Sequence, residues 1–161
     1  MNPDMSQNCL PAEMLARPAV LLGRLGTAMK MESMERFEAA GFSVYHYGVL
    51  ALLDEGERQT QATIADALGV DRSMLVGLLE QLEERGMIVR RRDPNDRRRQ
   101  MVKLVPAGRR QLAEFRKIVE KIEDDFLAPL DEEERAALHD LLLRVAAHRD
   151  TRFVPAQTSV S

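Results

Sequence analysis

Arg90-Arg91-Arg92-Asp93-Pro94-Asn95-Asp96-Arg97-Arg98-Arg99-Gln100 places six arginines around a four-residue Asp-Pro-Asn-Asp centre. Proline presets its own φ, and Asp and Asn side chains bond to nearby backbone, so the centre reads as a tight turn. On either side lie short apolar runs, Met87-Ile88-Val89 and Met101-Val102-Lys103-Leu104-Val105. In them Met87, Val89, Met101 and Lys103 alternate against their neighbours, which is strand periodicity. The whole is a predicted β-hairpin with an arginine-rich tip.

The chain's net charge of -3 is unevenly spread. From Arg85 to Arg110 there are ten basic residues (Arg85, Arg90, Arg91, Arg92, Arg97, Arg98, Arg99, Lys103, Arg109, Arg110) against Asp93 and Asp96, a local +8 that leaves -11 elsewhere. An acidic protein with one basic segment has low general affinity for polyanions and aims a local field at one partner. Most charge runs are simply solvated faces. Here the neighbouring pattern favours nucleic acid.

Immediately before the hairpin, Thr60 is placed to cap a short helix, Gln-Ala-Thr-Ile-Ala-Asp-Ala-Leu, closed by Gly69. Val70 bridges to Asp71, a second cap, and a longer helix follows until Gly86. Two helices joined by so short a turn are a helix-turn-helix. In the second, Met74, Leu75, Leu78, Leu79 and Leu82 form the expected buried stripe, leaving Arg72, Ser73, Val76, Gly77 and Glu80 outside. Its amino-terminal end is where such helices meet base edges.

Further out, apolar residues at helical spacing predict a helix between Glu13 and Ala40, bent or restarted at Pro18 and ended by Gly41, and another from Ser43 to the turn at 54–56. Beyond Pro106 and Gly108 a long helix carries Leu112, Phe115, Ile118, Val119, Ile122 and Phe126. A last one, capped by Asp131, carries Leu138, Leu141, Leu142 and Val145. These two hold more apolar residues than a thin lobe covers, so pairing of subunits is expected; the alternative is an ordinary intrachain core. The fold class is mainly α with a small β-hairpin wing (α+β): a winged helix-turn-helix lobe over 43–105, flanked by dimerisation helices at 13–42 and 106–150. A flexible arm is expected over 1–12 and a flexible tail over 151–161.

The order of these elements, and the run DPNDRRRQMVKLVPAGRRQL at 93–112, resembles the MarR (multiple antibiotic resistance regulator) family of bacterial transcription factors. The similarity extends from about Leu21 to Ala147, and Val105-Pro106-Ala107-Gly108 departs from the family's usual Leu-Thr-x-x-Gly entry to the next helix. The resemblance implies a homodimeric regulator, by family default a repressor, bound to double-stranded DNA. A two-fold dimer implies a pseudo-palindromic operator with half-sites about 10 base pairs apart.

Candidate DNA contacts are Thr60, Arg72, Ser73, Val76, Gly77, Arg91, Arg92, Asp96, Arg97, Arg98 and Arg99. Arg72 and Ser73 reach bases or backbone in the major groove, and Val76 offers a methyl surface to thymine. Gly77 stands where the family often has a larger polar residue. Arg97 is the expected minor-groove probe, since a narrow groove concentrates negative potential around a guanidinium. Arg91, Arg92 and Arg99 suit phosphates. By resemblance, Asp96 orients Arg98 or a nearby arginine.

Members of the family commonly respond to small phenolic or aromatic acids. Met29 and Met34 with Tyr45, His46 and Tyr47 are the candidate site for such an effector, soft thioethers combined with a histidine and phenols; core packing is the plainer role for the same residues. A redox-responsive regulator using Cys9, the sole cysteine, is an alternative, although no base lies nearby in sequence to lower its pKa. No cofactor is expected, and His46, His139 and His148 lack metal-site spacing. No catalytic motif appears, so an enzyme is not expected. A winged-helix adaptor is the remaining rival, but an adaptor has no need of six arginines around a turn. Without a long apolar run or a signal-peptide pattern, the expected location is the cytoplasm, associated with the nucleoid.

Overall fold

The computed structural model describes residues 9–56, 59–92 and 100–153. The chain divides into two compact units, 1–43 and 44–161. In the first, α1 (Ala12–Leu15) stops at Ala16, and α2 (Pro18–Ala39) restarts with Pro18 in its first turn. A proline is tolerated there because its missing N–H would have had no helical partner. Gly41, at φ 77°, then takes the left-handed conformation that ends the helix.

The second unit contains α3 (Val44–Glu55), β1 (Gln59–Thr60), α4 (Gln61–Leu68), α5 (Arg72–Glu84), β2 (Ile88–Arg92), β3 (Gln100–Leu104), α6 (Pro106–Phe126), α7 (Glu132–Arg149) and a 3-10 turn at Thr151–Phe153. Its core is made by Val49, Leu50 and Leu53 of α3, Ile64 of α4, the leucines of α5, Ile88, Val102, and Leu112, Phe115 and Ile122 of α6. Burying apolar surface from six elements around one centre is what holds this unit together. An ion pair of 3.0 Å between Arg116 and Asp54 also ties α6 to α3.

The strands form an antiparallel sheet in the order β1-β3-β2. Ile88 faces Leu104 and Arg90 faces Val102, so the inward residues of the hairpin are Ile88 and Val102 rather than the set that includes Lys103. The third strand is unexpected. Gln59 and Thr60 pair with Val102 and Met101, so the segment entering α4 is fastened to the base of the wing. Among the described residues, no helix is long and apolar enough to cross a membrane.

Candidate nucleic-acid interface

The helix-turn-helix is built by short-range chemistry. Thr60 and Thr63 form a reciprocal capping box at the start of α4, with the Thr63 amide donating to the Thr60 hydroxyl at 3.2 Å and the Thr60 amide to the Thr63 hydroxyl at 3.0 Å. Gly69, at φ 63°, closes α4, and the Val70 amide returns to the Ala65 carbonyl. Asp71 then accepts a 2.8 Å hydrogen bond from the Met74 amide at the start of α5. The carboxylate therefore occupies one of the donors that a phosphate at this helix end would otherwise use.

Leu75, Leu78, Leu79 and Leu82 of α5 are buried. Met74 is not: it is 38% exposed, which corrects the expected stripe. It lies roughly a quarter turn from the centre of the leucine face, on the first turn of the helix. Arg72 and Ser73 are exposed, while Val76 and Gly77 are half-buried. A side chain at Gly77 would meet open space, so its lack of one lowers the relief of the presented surface rather than admitting a neighbour.

The wing grows directly out of α5. Gly86, at φ 65°, turns the chain, and the Met87 amide bonds back to the Leu82 carbonyl at 2.9 Å. The Met87 carbonyl accepts from Val105 at the far side of the hairpin. Gly108 packs so closely on that carbonyl that a Cβ would collide with it, which fixes the base of the wing against the start of α6. Pro106 occupies the first turn of α6 and Val105 gives no side-chain cap, so the departure noted at 105–108 replaces a hydroxyl cap with proline pre-organisation.

Arg91 and Arg92 are exposed on β2. Asp96, Arg97, Arg98 and Arg99 fall outside the described residues. Thr60 is half-buried, with its hydroxyl engaged in the capping box.

Two features of the interface carry no sequence signal. Gln61 donates to Gln100 at 3.0 Å, linking the first residue of α4 to the start of β3 across 39 positions. Glu83, on the last turn of α5, receives Arg90: the Arg90 Nε donates at 2.7 Å and its backbone amide at 3.1 Å, and Nη2 lies 2.6 Å from the carboxylate. Hydrogen bonding from the Arg90 guanidinium, with help from its amide, holds the Glu83 carboxyl below its ordinary value of 4.5.

The candidate effector residues divide between the two units. Met29 and Met34 lie on α2, 37% and 44% exposed, and Met34 lines a hollow of about 720 Å³ along that helix with Met31, Glu35 and Ala39. On α3, His46 is buried and Tyr45 and Tyr47 are half-buried. Cys9 is exposed.

A capped two-helix motif followed by an antiparallel hairpin defines a winged helix-turn-helix protein. The profile of the MarR family matches residues 42–99. The chain is 39% identical over 110 residues to a Thauera aromatica protein assigned to regulation of the hcr operon, an alignment spanning 68% of this chain and 65% of that one. It is 33% identical over 111 residues to the uncharacterized HTH-type transcriptional regulator YdgJ of Bacillus subtilis (strain 168), spanning 68% of each. The chain thus spans about two thirds of the length of these relatives. The PcaV transcriptional regulator of Streptomyces coelicolor, solved in complex with its natural ligand, superposes with a TM-score of 0.70 at 27% identity, covering 88% of this chain and all of that one. The protein belongs to the MarR family and is a DNA-binding transcriptional regulator.

Proposed function

We propose that this regulator is a repressor that binds a pseudo-palindromic operator as a homodimer and is released by a small aromatic or phenolic acid. The observation that carries the DNA reading is the pairing of two exposed cationic surfaces on one rigid lobe, Arg72 and Ser73 at the start of α5 and Arg91 and Arg92 on the wing strand. Arg72, Ser73 and Val76 read the major groove. Arg97 enters the minor groove, Asp96 and Arg98 support it, and Arg91, Arg92 and Arg99 hold phosphates. Thr60, beside them, presents the first turn of α4 to the backbone.

Two lobes are needed because one short helix reads only a few base pairs, and half-sites about 10 base pairs apart follow from two-fold symmetry. The dimerisation helices are those over 13–42 and 106–150, around a lobe at 43–105. A ligand carried by the similar PcaV protein supports an effector here, with Met29, Met34, Tyr45, His46 and Tyr47 as the residues that receive it. It acts by favouring a lobe spacing that no longer fits the operator, a shift of populations. The regulator works in the cytoplasm, at the nucleoid.

Footprinting the purified protein on the intergenic DNA beside its own gene, with and without a panel of aromatic acids, tests this reading. A protected two-fold site that one of the acids releases is expected. Arg97→Ala should weaken binding by about 1–3 kcal/mol; unchanged promoter affinity in that variant would remove the proposed role of the wing. Protection that no acid affects but peroxide abolishes would transfer sensing to Cys9.

A further inference from the structure

Arg92 lies on the same face of β2 but further out and is exposed, so among the described arginines of that strand the half-buried one is Arg90. It shares a face with buried Ile88 and stands opposite buried Val102. A guanidinium in such a place needs a compensating charge, and Glu83 supplies one through the two side-chain contacts and the backbone hydrogen bond described above. As a result the Arg90 side chain is only 21% exposed, whereas Arg91 and Arg92 beside it lie open to solvent. The same contacts run from the last turn of α5 to the first half of β2, bridging the turn at Gly86 that joins them.

We propose that Glu83 is a specificity-determining positioning residue that withholds Arg90 from phosphate and locks the wing to α5, so that base readout and wing contact are made together or not at all. The proposal rests on the DNA-binding reading given above. Its logic is electrostatic. Each cation free to neutralise a phosphate adds sequence-independent affinity and steepens the salt dependence by about 0.9. An arginine pinned inside the lobe adds neither. A wing fixed at one angle also restricts tight binding to DNA whose two grooves present the matching geometry, whereas a loose wing accepts any duplex.

The consequence separates this role from ordinary stabilisation. Glu83→Gln keeps the size and the hydrogen-bonding oxygen but releases the charge of Arg90. On a scrambled duplex the variant should bind several-fold tighter than wild type, with a salt slope steeper by about one. On the protein's own upstream DNA it should bind more weakly, so that the ratio of the two affinities falls about tenfold, the scale of one lost base contact. In the double variant Glu83→Gln/Arg90→Met the gain on scrambled DNA should vanish, because no cation is left to release.

The experiment is a paired titration of wild type, Glu83→Gln, Arg90→Met and the double variant on both duplexes across a salt series. A higher affinity and steeper slope of Glu83→Gln on scrambled DNA, absent from the double variant, is the expected result. Parallel loss on both duplexes would make Glu83 a structural residue only, and a gain that persists without Arg90 would show that the charge acts elsewhere; each overturns the proposal. Should wild type show no preference for its own upstream DNA, the operator reading fails, while the slopes on scrambled DNA still decide whether Glu83 restrains Arg90.

Discussion

Helices α5 and α7 both begin at an aspartate that accepts a hydrogen bond from the amide three residues on, and both carry at least three leucines. They differ in what becomes of those leucines. Leu75, Leu78, Leu79 and Leu82 of α5 are buried inside their own unit. In α7 no residue is buried, and Leu141, Leu142 and Val145 are 57%, 39% and 55% exposed. In proteins most helical stability comes from packing of an apolar face rather than from propensity. Among the described residues, polar contacts at the start of α7 include the 2.9 Å ion pair of Arg135 with Asp124 and the Arg135 bond to the Leu130 carbonyl. The contrast teaches that the DNA-binding element is stabilised by the chain itself, whereas α7 presents the apolar face that the proposed second copy would cover.

The largest expected effect breaks the comparison from the α5 side. Leu79→Ala should lower the unfolding free energy by about 2–5 kcal/mol, the range for emptying a fully buried leucine site, measured by urea denaturation at any protein concentration. Leu141→Ala, at an exposed site of the isolated chain, should cost far less when the protein is dilute. A Leu141→Ala penalty equal to that of Leu79→Ala under those conditions would mean that α7 has an intrachain core after all.

Next in size is assembly. Leu141→Asp with Val145→Asp places two charges on the α7 face, and sedimentation should show the mass of a single chain where the wild type shows two. Promoter affinity should then fall by at least about tenfold, since only one half-site remains to each chain. An unchanged mass would move the subunit interface away from α7.

The smallest effect concerns the link between α5 and the wing. The Glu83 carboxyl is held below its ordinary 4.5 by Arg90. A depressed folded value means that the pair stabilises the fold fully above 4.5 and loses its contribution as pH falls through the lowered value. A partly exposed pair of this kind contributes less than about 1 kcal/mol. The difference in thermal midpoint between wild type and Glu83→Gln should therefore stay constant from pH 7 to about pH 5 and close below it. A gap that persists into strong acid would show that the carboxylate charge is not what holds Arg90.

How much of this was legible in the sequence follows from the range of each interaction. Thr60, Asp71 and Asp131, with Gly69 and Gly86, mark helix ends through contacts within five residues, and all five act at the expected ends. The hairpin strands and the restart at Pro18 are also local signals, and they appear where expected. The two-residue strand at Gln59 has no periodicity of its own; it exists only because β3, some forty residues later, supplies its partner. Glu83 and Arg90 are seven apart across a turn, a spacing that fits no helix or strand rule, so only the folded hairpin brings them together. Met74 is exposed although it falls beside the helical stripe, because periodicity predicts a direction and not the cover at that end. Of the interface, Arg72, Ser73, Arg91 and Arg92 were visible as exposed cations and a polar end. The proposed effector residues lie on α2 and on α3, which belong to separate units.

The central claim is that paired winged lobes clamp DNA through a localised basic surface on an acidic protein. Its most direct measurement is a titration of the upstream duplex, with stoichiometry, at about 50 and 200 mM salt. Two chains per site, and affinity falling by on the order of a thousandfold between the two salt concentrations, are predicted. One chain per duplex, or an affinity insensitive to salt, would contradict it.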